Sequence, residues 1–245
     1  MRIPNCGASS SPSCARPAAG SAALGDVAIV CGAGGALGSA IVAALAGRGD
    51  SVVAVDRHAE GEEVAGLRRE ACDLTSADEV SALWARLAAD GVEPRWVVNA
   101  VGGFRSGSVA ESEPEGLRFM EDLNLATAWW SCREAARRLP KGGAIVNISS
   151  RTGVSGGSGA AAYAVSKAGV IRLTEVLAAE LAERRVRVNA ILPSVIDTPA
   201  NRASSSPDAL RKAVAPADLA SVIAFLLSDA AAAVTGAIVP VYGYA

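Results

Sequence analysis

A tyrosine and a lysine four residues apart, in Tyr163-Ala164-Val165-Ser166-Lys167, are the residues of this chain whose types and spacing most directly suggest chemistry. At i and i+4 on a helix the two project from one face, where an ammonium favours phenolate over phenol. A phenol of ordinary pKa ~10 then becomes usable as a general acid or base nearer neutral pH. Tyr163 is the one tyrosine outside the last four residues, and the lysines are only Lys141, Lys167 and Lys212 against 20 arginines. Thirteen residues before Tyr163, a β-branched run ends in Asn147-Ile148-Ser149-Ser150. A serine hydroxyl at such a strand end can donate to a carbonyl oxygen and complete a polar clamp with the tyrosine. Taken singly, Ser149 and Ser150 also read as turn residues.

A second constellation lies near the start. The run Val27 to Cys31 leads into Gly32-Ala33-Gly34-Gly35-Ala36-Leu37-Gly38, and a helical pattern begins at once. Glycines there let the chain turn tightly and let backbone N–H groups approach a pyrophosphate at the positive end of a helix. Eighteen residues past Gly38 stands Asp56, at the end of the next β-branched run, where a carboxylate can accept hydrogen bonds from ribose hydroxyls. A carboxylate at that place repels a 2′-phosphate, so NAD(H) is favoured over NADP(H). Arg57 is the counter-argument, because a guanidinium can bind a phosphate, or simply lie solvated over an adenine. Asp73, followed by Leu74, reads either as a holder of the adenine amino group or as a turn residue.

Placing these groups together requires a particular set of elements. β-branched runs at Val27–Cys31, Ser51–Val55, Leu67–Cys72, Trp96–Ala100, Ala144–Ile148, Arg185–Leu192 and Ala237–Val241 alternate with helical patterns at Leu37–Gly47, Ser76–Ala89, Ser112–Leu139, Ala160–Glu183 and Pro216–Leu227. That alternation is the signature of βαβ units. The expectation is an α/β, Rossmann-type doubly wound fold: a seven-stranded parallel sheet with helices on both faces and a ligand crevice at the strand ends. Residues 26–245 read as one domain. Residues 1–25 draw 17 members from Ser, Ala, Pro and Gly and read as a flexible extension with no signal-peptide core.

Composition narrows the function classes. With 51% hydrophobic residues the chain can build a core, and a net charge of -2 gives no attraction to nucleic acid or anionic lipid. No apolar run is long enough to span a bilayer. One histidine, His58, and the scattered cysteines Cys6, Cys14, Cys31, Cys72 and Cys132 argue against a metal site, a histidine triad or a disulfide framework, and fit a reducing, cytoplasmic compartment.

Together these motifs, in order and spacing, resemble the classical short-chain dehydrogenase/reductase family over residues 26–245. The family's glycine turn corresponds to Gly32 through Gly38, with Gly32, Gly35, Leu37 and Gly38 as cofactor contacts. Its Asn-Asn-Ala-Gly segment corresponds to Asn99-Ala100-Val101-Gly102, and its Ser, Tyr and Lys to Ser150, Tyr163 and Lys167. The resemblance implies that Asn124 anchors a water in a proton relay and that Asn99 supports the centre of the sheet. It also implies that Tyr163 and Lys167 contact the cofactor, with Pro193, the Ile196 backbone and the Thr198 hydroxyl near the nicotinamide. Ala36, Ala100 and Ser194 depart from the family's residues, each by a small side chain. The glycine turn and the region Leu192–Arg202 resemble the dihydropteridine reductase branch somewhat.

The activity implied is reversible hydride transfer between nicotinamide and a small-molecule carbonyl or secondary alcohol: a ketoreductase or alcohol dehydrogenase of a small or polycyclic metabolite. One alternative is an NADPH-dependent 3-oxoacyl thioester reductase. Another is a non-catalytic nucleotide sensor on the same fold. Substrate walls are expected from Gly102–Gly107, Arg151–Gly159 and Ser194–Leu210, with Phe104 against an apolar part and Arg105, Arg151 or Arg202 against an anionic one. The third segment reads as a mobile lid. Trp129 and Trp130 read as either core or subunit contact in a homo-oligomer, a tetramer or dimer.

Overall fold

The computed structural model describes residues 26–59, 61, 64–156 and 158–245; the extension read at residues 1–25 lies outside them, as do Cys6 and Cys14. Seven strands form one sheet: β1 (Val27–Cys31), β2 (Ser51–Asp56), β3 (Leu67–Ala71), β4 (Pro94–Asn99), β5 (Ala144–Ile148), β6 (Arg187–Pro193) and β7 (Ile238–Val241). Their order is β3-β2-β1-β4-β5-β6-β7 and every pairing is parallel. The order reverses between β1 and β4, which opens a crevice at the carboxyl ends of those two strands.

The helices are α1 (Ala36–Ala46), α2 (Ala77–Ala89), α3 (Pro114–Glu121), α4 (Thr127–Arg138), α5 (Thr152–Ser155), α6 (Ala161–Glu180), α7 (Pro199–Ser204), α8 (Pro207–Arg211) and α9 (Pro216–Leu227). Strand alternation divides the core between them. Ala28 and Val30 of β1, Val52 and Ala54 of β2, and Val146 and Ile148 of β5 pack with Ile41 and Leu45 of α1 and Leu219 and Ile223 of α9. Ile29 and Val53, on the opposite face, pack with Leu83 and Trp84 of α2, Cys132 of α4 and Leu177 of α6.

Several expected boundaries move for local reasons. The single helix expected over Ser112–Leu139 is α3 and α4 joined by a π turn at Asp122–Ala126. β6 begins at Arg187 because Arg185 takes a positive φ of 54° and turns the chain. β4 starts two residues early, at Pro94, which stands at the first strand position, where a missing N–H is tolerated. The expected loop after β5 opens with α5, and the expected lid contains α7 and α8, capped by Thr198 and Ser206. Trp129 is half exposed, so core packing is not its role; the two fully covered tryptophans are Trp84 and Trp96.

A buried polar string registers β4, β5 and α6. Asn99 Nδ2 donates to Asn147 Oδ1 at 2.8 Å, Asn147 Nδ2 donates to Thr174 Oγ1 at 2.9 Å, and Thr174 Oγ1 donates to the Val170 carbonyl at 2.8 Å. Such groups are cheap only while paired. Thr174→Val keeps the shape but strands the Asn147 amide, so unfolding in urea should show a loss of about 1–3 kcal/mol; an unchanged midpoint and slope would contradict this account of the string.

Candidate functional site

The glycine turn is built for close approach. Gly32 has φ +83°, and a Cβ there would stand 2.8 Å from the Val101 nitrogen; a Cβ on Gly38 would stand 2.0 Å from the Gly32 carbonyl oxygen. Neither position accepts a side chain without moving backbone. Gly34 and Gly35 are left exposed at the start of α1, and with Gly32 they line a cleft of about 500 Å³. Asp56, Arg57, Asp73 and Leu74 line its far half, and Ala100 and Gly102 its near half. This elongated cradle fits a dinucleotide, with phosphates over the glycines and the ribose acid beyond them.

Asp56 has a structural duty as well. Its Oδ2 accepts from the Gly34 N–H at 2.9 Å and its Oδ1 from the Arg57 N–H at 2.8 Å, which ties the end of β2 to the glycine turn. Asp73 makes a turn while lining the cleft: its Oδ1 accepts from both the Thr75 N–H and the Thr75 hydroxyl. Those two bonds, with a smaller contribution from the nearby Arg57 guanidinium, hold its carboxyl below the usual range. Leu37 points the other way: its side chain is buried in the core, so it can offer a ligand only backbone. Asn99 is likewise turned inward, toward Cys132 and Asn147, rather than into the cleft. Pro193 ends β6, two strands from β4, Ile196 and Thr198 follow it, and none of the three lines the cleft. Ile196's carbonyl accepts from the Thr198 N–H and from Asn201 Nδ2, and Thr198 caps α7. His58, Cys72 and Thr75, chain neighbours of Arg57, Asp73 and Leu74, also line the cleft, and the tertiary fold adds Leu123 and Thr127.

At the near end of the cleft two of the catalytic candidates, Lys167 and Asn124, meet at Gly102. A Cβ on Gly102 would lie 2.9 Å from Lys167 Nζ and 2.8 Å from Asn124 Oδ1, so one exposed glycine touches both. Lys167 is buried and donates to the Ile148 carbonyl at 3.0 Å. The Ser149 hydroxyl donates to the Lys167 carbonyl at 2.8 Å, fastening α6 to the end of β5. Ser150 lies close enough to the Tyr163 hydroxyl to favour its charged form, and the Phe104 ring meets the Tyr163 ring edge-on at 5.1 Å. Asn124 occupies the centre of the π turn, and its amide closes on Gly103: Oδ1 accepts from the Gly103 N–H at 3.0 Å while Nδ2 donates to the Gly103 carbonyl at 3.1 Å. π turns recur at functional sites because the extra residue re-aims a side chain.

The electrostatics correct one expectation. Burial raises the Tyr163 phenol, with the nearby Ser150 opposing it, and burial alone lowers Lys167 from 10.5 to about 8. Desolvation penalises both charged forms, so within this chain the neutral phenol is favoured rather than the phenolate. The lysine's proton is turned to the Ile148 carbonyl.

Comparison with known proteins agrees with this architecture. A family model described as enoyl-(acyl carrier protein) reductase matches residues 32–243. D-threitol dehydrogenase of Mycolicibacterium smegmatis is 35% identical over 87% of this chain and 90% of its own length. Galactitol 2-dehydrogenase of Rhizobium johnstonii is 36% identical over 89% and 93%. Among solved structures, 4-hydroxyisoleucine dehydrogenase complexed with NADH superposes with a TM-score of 0.78 at 28% identity, over 89% of this chain and 97% of that one. Among the described residues no group of His, Cys, Asp and Glu could hold a metal, and no helix is long and apolar enough to cross a membrane.

The lysine's depressed pKa fixes the sign of a pH effect. Between about 8 and the ordinary 10.5 the folded chain has shed this proton while the unfolded chain keeps it, so unfolding takes up a proton and stability rises with pH across that window. Lys167→Met lacks the titration. The wild type should gain on the variant from pH 8 to 10.5 by on the order of 3 kcal/mol, measured by denaturant unfolding of both proteins at matched pH. A difference independent of pH would contradict the burial.

Proposed function

This chain belongs to the short-chain dehydrogenase/reductase family and is an oxidoreductase of it; from that premise we propose that it interconverts a secondary alcohol and a ketone by a Ser150-Tyr163-Lys167 mechanism, with NAD(H) preferred. The observation that carries the reading is the junction at Gly102, where a dinucleotide-sized cleft meets the ammonium of Lys167 and the amide of Asn124.

The cleft fits a nicotinamide adenine dinucleotide. Gly32, Gly34 and Gly35 would face its phosphates, Asp56 its ribose hydroxyls, and Tyr163 and Lys167 its nicotinamide end. When bound, the nicotinamide supplies or accepts the hydride at the substrate carbon. Ser150 donates to the substrate oxygen and holds it beside Tyr163. The Tyr163 hydroxyl gives that oxygen a proton in reduction and takes it back in oxidation. Lys167 is the positive charge nearest the phenol on α6, and Asn124 holds the Gly102–Gly103 segment against it. The proton relay through water past Asn124 is part of this proposal.

Asp56 supports NAD(H): its carboxylate faces the ribose end, and Arg57 lies near Asp73, so its charge is partly spoken for. The polyol names of the two curated relatives support a small polar alcohol. The description of the matching family model favours a second reading, an NADPH-dependent reductase of acyl thioesters, which the charge at Asp56 disfavours. The buried free thiols Cys31, Cys72 and Cys132 fit a reducing, cytoplasmic setting. The groove of about 550 Å³ between α4 and α6, where Trp129 and Val176 are exposed, supports assembly with copies of this chain.

Tyr163→Phe should cut kcat by roughly 10²–10⁴ while leaving the dissociation constant of NADH nearly unchanged in a fluorescence titration. In the same titration the wild type should bind NADH more tightly than NADPH. Retained turnover overturns the role of Tyr163, and a clear preference for NADPH overturns that of Asp56.

A further inference from the structure

We propose that the substrate carries an oxyanion group, a carboxylate or a phosphate monoester, and that the cleft beside Ser150 holds it between Arg151 and Lys212. The inference rests on the oxidoreductase reading and narrows it to a class of substrate.

A second cleft, of about 400 Å³, opens on the substrate side of Ser150. Its lining joins three separate stretches of chain: Ser150 to Thr152 after β5, Ser194 and Val195 after β6, and the segment Ser206 to Lys212 around α8, with Ala245 closing one side. Of the three arginines that the sequence offers for an anion, the fold leaves one here. Arg202 is held in a two-point ion pair with Asp197, one contact at 2.8 Å. Arg105 lies over the Phe119 ring at 4.5 Å and borders a different hollow, among Glu111, Glu113 and Glu115. Arg151 remains, its guanidinium 5.6 Å from the Tyr242 ring centroid and its backbone N–H bonded to the Pro193 carbonyl at 3.0 Å.

Lys212 joins it through the fold alone, sixty-one residues later, where α8 ends. Neither cation has a carboxylate partner among the described residues, whereas Asp208, the acidic side chain of the lining, is ion-paired to Arg211. The remaining side chains are mostly hydroxyls: Ser150, Thr152, Ser194 and Ser206. The Ser194 hydroxyl donates to the Tyr242 carbonyl at 3.0 Å and so holds in place the ring that Arg151 lies against.

Covering two unpaired cations with a neutral substrate removes their water without replacing it, which is unfavourable. An oxyanion replaces that water with charge-assisted hydrogen bonds, two-pronged in the case of the guanidinium. The carbonyl end of such a substrate meets Ser150, which belongs to both the catalytic cluster and this cleft. The anion lies a few bonds away. A neutral polyol would leave both charges unused, so the arrangement selects oxo acids or oxo phosphates, and their hydroxy counterparts.

The test compares matched pairs on the full chain with reduced dinucleotide: 5-oxohexanoate against its methyl ester, and dihydroxyacetone phosphate against dihydroxyacetone. In at least one pair the anion should lead in kcat/KM by roughly tenfold or more, as one charge-assisted bond allows. Arg151→Gln and Lys212→Gln should each collapse that ratio toward one, acting through KM for the anion. The pair that shows the preference tells carboxylate from phosphate. Equal use of anion and neutral partner in both pairs, or variants that lower both partners alike, overturns the anion site. Thermal unfolding separates this from the parent reading. A melting midpoint raised by the anion in the wild type and not in the variants, without turnover of any compound, keeps the anion site and refutes the oxidoreductase mechanism. No shift and no turnover overturns the anion site as well.

Discussion

Desolvation of a phenol and an ammonium on one helix face is the constraint on which the rest of this structure depends. Tyr163 and Lys167 both lie where water is largely excluded, and burial moves them in opposite directions, the phenol up and the ammonium down to about 8. Each shift favours a neutral group. In that condition the phenol keeps its proton, as an acid must, and acting as a base calls for a positive charge beside it. In the proposed mechanism an oxidised nicotinamide held in the cleft that reaches Gly102 would supply that charge. In this account, the cofactor's positive ring does what the lysine by itself does not.

Holding that pair in place engages much of the fold. β5 must end beside the first turns of α6, and the Ser149 bond to the Lys167 carbonyl makes the join at one end. The string from Asn99 through Asn147 to Thr174 makes it at the other. The π turn then brings Asn124 against Gly103, so the segment after β4 cannot lift away from the lysine. Elsewhere polar groups do similar work at a distance. Arg187 donates to the last carbonyls of α9, including Leu227 at 2.9 Å, and buried Glu134 gathers Arg133, Arg137 and Arg138 on α4 while sharing the Ser81 hydroxyl of α2. The apolar layers set where the helices lie, and these bonds set their register.

Much of this was legible in the chain because the informative features are local. The glycine turn, Asp56 at a strand end, and Tyr163 four residues before Lys167 are fixed by backbone geometry or helix spacing, and the alternation of β-branched runs with helical patterns marks a parallel sheet. What escaped depends on neighbours distant in sequence. Nothing in Asp122-Leu123-Asn124-Leu125-Ala126 marks a π turn, which arises where two helical pieces meet. Leu37 stands inside the phosphate turn, yet its side chain belongs to the core beneath it. Asn99 faces α4 rather than the cleft because Asn147, on the neighbouring strand, offers it a partner. The direction of the Tyr163 shift was missed because i, i+4 spacing reports the charge nearby and not the burial around it. Lys212 is paired with Arg151 only by the fold, which brings the end of α8 to the cleft lined by the segment after β5.

The central claim is that burial keeps the phenol neutral and that a bound positive charge releases it. The most direct measurement is a pH titration of the tyrosine ring signals in ¹³C-labelled protein, with Tyr163 identified by the Tyr163→Phe spectrum, first alone and then saturated with NAD⁺. The account predicts a Tyr163 midpoint above the ordinary ~10 in the free protein and a fall below it on binding, while Tyr242 and Tyr244 stay where they were. A midpoint already below ~10 without cofactor, or one that NAD⁺ leaves unmoved, would contradict it.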